Sequence, residues 1–208
     1  MTFSLTYNSL IDSIQDYTEE RNPNFVAAIP QFINTAEIKI ARDVKNIEAR
    51  KTVLANFTPW QALYQKPARW RQTISMNFST GQSYTPLLPR SYEFCREYWP
   101  DLTQTGTPKY YADADLNYFL IVPTPPSASN WQIAYYETPE HLSDSNQTNW
   151  ITENAPDLLL YGALVETAPY LKNDNRLAVW QQMYANALQS RQTEAENRKD
   201  DATVKRNV

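Results

Sequence analysis

The chain has one histidine, His141, and one cysteine, Cys95. Nucleophilic catalysis by a Ser–His–Asp or Cys–His arrangement would have to use His141 as its base. That residue sits in Pro139-Glu140-His141-Leu142-Ser143-Asp144, a loop-like stretch where a surface histidine is the plainer reading. Cys95 lies in a short aromatic segment, and a reactive thiol needs a base or a cation beside it. Arg96 is adjacent in sequence, but i and i+1 do not share a helix face, so Cys95 is assigned to packing. Asp113 and Asp115 place two carboxylates where an oxygen-ligated cation loop could begin. No further ligands follow in register, and turn chemistry accounts for both. Arg69, Trp70 and Arg71 form a small basic–aromatic patch of a kind that can touch nucleic acid. In an acidic chain, a strand edge or an interface suits these three residues better. No catalytic residue, cofactor or metal site is assigned on this basis.

Composition narrows the classes further. The 208 residues fit one large domain, or one domain with an insertion, and can bury a real core. A net charge of −4 excludes a chain-wide basic field for nucleic acid. One cysteine excludes an intrachain disulfide framework. No apolar run is long enough to predict a membrane-spanning helix, and Met1-Thr2-Phe3-Ser4 lacks the features of a signal peptide. With only Gly81, Gly106 and Gly162, the chain cannot build a glycine-rich phosphate loop. Fourteen tyrosines and six tryptophans supply rigid amphipathic area of the kind found at interfaces.

The elements that would position these residues begin with a helix carrying Tyr7, Leu10, Ile11, Ile14 and Tyr17 after a cap at Thr6. Asn22-Pro23-Asn24 breaks it. A longer helix follows with the stripe Ile29, Phe32, Ile33, Ala36, Ile40, Val44 and Ile47. Pro30 places its regular part from about Ile29, and Glu37, Lys39, Arg42 and Lys45 are expected on the solvent face. From Lys51 the pattern becomes strand-like. Strands are expected at 52–57, at Ile74-Met76-Phe78 ending in Thr80-Gly81, and at 109–112, 116–122 and 131–136, with a short helix over 90–98. The chain closes with two helices between Asn154 and Gln192. Asn154 is the expected cap of the first, Pro169 its kink or end, and Lys172 to Asn175 the connection. Leu177, Trp180, Tyr184, Leu188 and Arg191 stripe the second, with Trp180 and Tyr184 read as core. The fold class expected is α+β, mainly helical: an antiparallel helical bundle with an inserted β-meander. The expected parts are 1–50 and 150–192 for the bundle, 51–149 for the β-rich insertion with its short helix, and 193–208 for a polar tail or arm.

This order resembles the head-to-tail adaptor (connector) proteins of short-tailed bacteriophages. The likeness is carried by Phe32-Ile33-Asn34-Thr35-Ala36-Glu37-Ile38-Lys39-Ile40, by Tyr118 to Pro125 with Ile133-Ala134-Tyr135-Tyr136, and by Pro156 to Leu164 followed by Trp180 and Tyr184. The resemblance implies a structural virion protein without enzymatic activity or cofactor, made in the host cytoplasm and placed at the head–tail junction. It implies a homo-oligomeric ring, usually of twelve copies, that bridges portal protein to tail nozzle protein. The ring would line the channel through which double-stranded DNA passes without specific binding, and no membrane is involved. The C-terminal helix and arm would reach the portal, with Arg191, Glu194, Arg198, Lys199, Lys205, Arg206 and Val208 as the portal-binding residues. Three other readings are a tail-nozzle or baseplate component, a glycan-binding module using the aromatic β region, and an enzyme built on His141.

Overall fold

Thr6 starts the first helix, α1 (Tyr7–Thr18). Its hydroxyl accepts the Ser9 N–H while the Ser9 hydroxyl accepts the Thr6 N–H, a reciprocal cap. The periodic positions Tyr7, Leu10 and Ile14 are then buried. α2 (Pro23–Asp43) starts at an Asn22 cap, whose side chain accepts the Asn24 N–H at 2.9 Å. Pro23 occupies the first turn, where its missing N–H costs nothing, so Pro30 lies inside the helix rather than at its start. The computed structural model describes residues 5–45, 49–79, 83–172 and 175–204. Ile47, the Thr80-Gly81 turn, Asn173 and Asp174 lie outside these residues, as do Lys205, Arg206 and Val208.

The chain divides into two compact units, residues 1–49 with 138–208 and residues 50–137. The second contains β1 (Arg50–Phe57), β2 (Leu63–Gln65), β3 (Trp70–Ser79), β4 (Tyr84–Pro89), α3 (Tyr92–Tyr98), β5 (Tyr110–Asp113), β6 (Tyr118–Val122) and β7 (Ser129–Glu137). Its strands form one curled sheet in the order β1-β7-β3-β4-β5-β6-β2. β4 and β5 run parallel and the other neighbours antiparallel.

The expected fold class, mainly helical with a bundle and an inserted meander, is therefore corrected. Helix accounts for 45% and strand for 26%, and the seven-stranded mixed half-barrel dominates the core. The physical reason is non-local pairing. β7, the last strand in sequence, inserts between β1 and β3 and holds both along most of its length. The concave face packs Phe57, Tyr64, Phe78, Phe119, Trp131 and Tyr135 against one another. α3 covers the other side of β6, so Leu120 and Val122 are buried with Cys95 while Phe119 and Ile121 face the concave core. Burial on both faces explains why β6 reads as a continuous apolar run. Ile74 was expected inside with Met76 and Phe78, yet it is 40% exposed. A register shift between Thr73 and Ser75 turns it outward.

The other unit adds α4 (Trp150–Asn154), α5 (Pro156–Leu171) and α6 (Leu177–Val204). Asn154 is not the expected cap. Asn149 caps α4 by accepting the Ile151 and Thr152 N–H groups, and α5 starts without a side-chain cap. Pro169 sits within α5, which ends at Leu171. α5 is apolar nearly all round, with Leu158, Leu159, Ala163 and Leu164 fully buried. α1, α2, α4 and α6 all pack on it. A side chain at Gly162 would meet the Tyr184 ring at 3.2 Å and the Ala36 methyl at 3.4 Å, so glycine lets α2 and α6 approach α5 closely. Gly162→Leu is expected to push α6 away and cost about 1–3 kcal/mol by overpacking. Gly162→Ala should cost much less, because gained helix propensity offsets a small shift of the ring. Urea denaturation followed by circular dichroism checks both, and equal midpoints for the two variants would contradict the packing argument.

Candidate assembly surfaces

Glu37 is the residue that sequence patterning misplaced. Its side chain is fully buried, not on the solvent face of α2. Its position predicts this, since Glu37 lies four residues after Ile33 and three before Ile40, on the buried stripe itself. Around it the chain supplies donors from one re-entrant segment. His141 Nδ1 lies 3.0 Å from one carboxylate oxygen. The Leu142 N–H donates at 3.3 Å and the Asn149 amide at 2.6 Å. Asn149 is also the cap of α4, so one carboxylate ties α2 to the start of the α4–α5 segment. Burial pushes the Glu37 carboxyl above the usual range, and the bonds from His141, Asn149 and Leu142 oppose that rise.

The other sequence candidates resolve into local structure. Cys95 is fully buried among Ala62, Ala112, Leu120 and Val122, and burial raises its thiol against the opposing charge of Arg90. Asp115 accepts the Asn117 and Tyr118 N–H groups at 2.7 and 2.8 Å, an Asx turn into β6. Asp113 holds a cation, but that cation is the Lys66 ammonium at 2.8 Å. Lys66 is buried, donates to the Asp115 carbonyl at 2.9 Å and lies 3.9 Å from the Trp70 ring centre. Arg69 pairs with Glu137, and Lys51 reaches the same carboxylate, so this basic patch is engaged within the sheet. Trp180 is core, and Tyr184 is half-buried beside Gly162, its phenol pushed up to about 12 by burial and by the Asp43 carboxylate. Among the described residues no group of three or more His, Cys, Asp or Glu side chains is placed to hold a metal ion.

Two exposed features stand outside these local structures. α6 runs for 28 residues, about 42 Å of helix rise. Its core-facing stripe, Trp180, Tyr184, Ala187 and Leu188, ends at Leu188. Beyond that point the helix continues to Val204, through the stretch expected as a polar tail or arm. Arg191 donates to Glu194 at 3.2 Å and Arg198 to the same carboxylate at 2.7 Å, pairs at i,i+3 and i,i+4 that favour helix. The Lys199 side chain lies outside the described part. In the sheet unit Trp60 is 68% exposed beside Leu63 and Leu102 along a shallow groove.

A family profile described as SU10 adaptor protein matches residues 5–206. The chain belongs to this family. The match spans both units and agrees with the resemblance to phage head-to-tail adaptors. An SU10-type adaptor is a structural component of the phage virion that contacts other virion proteins, and the family is in general non-enzymatic. No curated protein matches the chain. Among the described residues no helix of this adaptor is long and apolar enough to cross a membrane.

The Glu37 network gives a pH test. The folded state holds this proton to higher pH than the unfolded chain, whose carboxyl titrates at about 4.3. Folding therefore takes up a proton between the two values, and stability falls as pH rises through that window. Glu37→Gln should remove that slope, measured as urea midpoints across pH. The same slope in both proteins would rule Glu37 out as its source. Glu37→Leu should cost about 1–3 kcal/mol at any pH, because the Leu142 N–H and the Asn149 amide lose their acceptor.

Proposed function

We propose that this adaptor forms a ring at the head–tail junction, between the portal protein and the tail nozzle protein, around the channel through which DNA passes. The observation that carries this reading is α6. A helix that continues to Val204, about four turns past the last of its described core residues, offers a surface for a partner. The portal is the proposed partner of that arm. Arg191, Glu194, Arg198 and Lys199, with Lys205, Arg206 and Val208 beyond them, are the proposed contact residues. Paired charges on the arm favour helix while keeping polar groups available for a charged partner. The exposed Trp60 groove of the sheet unit would serve the tail side, where a rigid aromatic anchor contributes most when it enters a partner's pocket. A net charge of −4 per copy suits a channel that DNA must slide through without sticking.

Deleting Arg198 to Val208 is expected to abolish portal binding while leaving the folded core intact. Among the described residues, all the buried ones of the helical core precede Arg198. Native mass spectrometry of the full and truncated chains, each alone and with portal protein, checks both halves. Unchanged portal binding by a folded truncated chain would refute the arm.

A further inference from the structure

The outward faces of α2 and α6 lack charge over matched lengths. From Leu177 to Ser190 no residue of α6 is charged. The exposed positions there include Val179, Gln182, Met183, Asn186 and Gln189, with Val179 54% and Met183 43% exposed. Gln182 donates to Asn186 at 2.9 Å, an amide ladder along this face. On α2 the only charged residue between Pro23 and Ile38 is Glu37, and it is buried. That helix exposes Asn24, Ala27, Gln31, Asn34 and Ile38. Each neutral face is about 20–24 Å long. Charge is not scarce nearby, since α1 exposes Asp12 and Asp16 and α2 itself turns to Lys39 and Arg42 directly after Ile38.

A face without charge is costly to leave to chance aggregation and cheap to bury, because no ion has to be desolvated. Amides both donate and accept, so two such faces can satisfy each other without any other chemistry. α2 and α6 both turn their buried sides to α5 at Gly162, through Ala36 and Tyr184, so their neutral sides point away from it. One unit thus carries two different neutral faces of equal length. A head-to-tail ring uses two such faces, one for each neighbour, whereas a two-fold dimer would use one face twice.

We infer that the occupant of the α6 face is a second copy of this chain, seated through its α2 face. The contact is heterologous: Val179, Gln182 and Asn186 of one copy lie against Gln31, Asn34 and Ile38 of the next. This inference rests on the ring reading and names the surfaces that close the ring.

Cysteine pairing tests it on the full chain in assembled phage particles. Asn34→Cys and Asn186→Cys are exposed substitutions, and the native Cys95 is buried. With a short bismaleimide, the double variant should give a ladder of dimers, trimers and higher species, and each single variant none. A single variant that crosslinks to a dimer would overturn the inference, because it would mean a face meets its own copy. Rings present by native mass without a ladder would also overturn it while leaving the ring standing. No ring in any sample would bring down both. As a second readout, Asn34→Lys or Asn186→Glu alone should lower ring yield about tenfold or more, and the two together in one chain should restore it. Failure of the double variant to recover ring yield would count against the contact.

Discussion

The structure of the helical unit follows from one constraint: most of the surface of α5 has to be buried. Leu158, Leu159, Ala163 and Leu164 are fully buried, and the exposed positions are confined to Asp157 near its start and Pro169 and Tyr170 near its end. Each such leucine contributes about 1.5–3 kcal/mol when removed from water, so an uncovered side of α5 would be ruinous for a marginally stable fold. The cover comes from α1 and α2 before the sheet and from α4 and α6 after it. The two ends of the sequence are therefore one body. Everything between Arg50 and Glu137 builds a core of its own instead of sharing this one.

Returning the chain to α5 needs an anchor, and the anchor is a buried carboxyl group. Glu37 presents a buried carboxylate on α2, and the segment arriving after β7 brings His141, Leu142 and Asn149 to it. A buried carboxylate without donors would be far too expensive, so the segment has little freedom to dock elsewhere. The sheet unit repeats the device with opposite sign. The buried Lys66 ammonium is met by Asp113, by the Asp115 carbonyl and by the Trp70 ring, which fixes the turn into β6 against the strand that precedes β3. In both places a single buried polar group chooses among alternative chain paths that apolar contacts alone would leave open.

These devices explain what could be read beforehand. α1 and the buried side of α2 were legible, because apolar residues recur every three or four positions and Thr6 is a good cap. Glu37 was misjudged by its residue type, although its spacing from Ile33 and Ile40 placed it inside. The sheet was the larger loss. β2 has three residues and β4 contains Pro86 and Pro89, so neither shows an alternating pattern. β7 finds β1 across about eighty residues of sequence, information that no local window contains. The stretch past Gln192 reads as a polar tail or arm because it has no apolar face. Its Glu–Arg spacing, which favours helix without any tertiary cover, was the available signal. Of the site candidates, Asp113 was assigned to turn chemistry, and its partner Lys66 lay too far away in sequence to be paired with it.

The neutral faces of α2 and α6 show why an adaptor surface is harder to read than an active site. Every residue on them is common, and none does chemistry. Their meaning arises only when the buried stripe is known, since that decides which glutamines and asparagines face outward. The same knowledge separates three kinds of surface on one unit: acidic on α1, uncharged along α2 as far as Ile38 and along the first half of α6, and ion-paired along the arm. On the proposed reading each suits a different neighbour. Uncharged amide faces can be buried permanently between copies without desolvating ions. Paired charges on a projecting helix can be exchanged for a partner's charges, so docking of the arm responds to what it meets. A protein that must first join its own kind and then grip something else gains from keeping these two chemistries on separate stretches of chain, and α6 places both along a single helix.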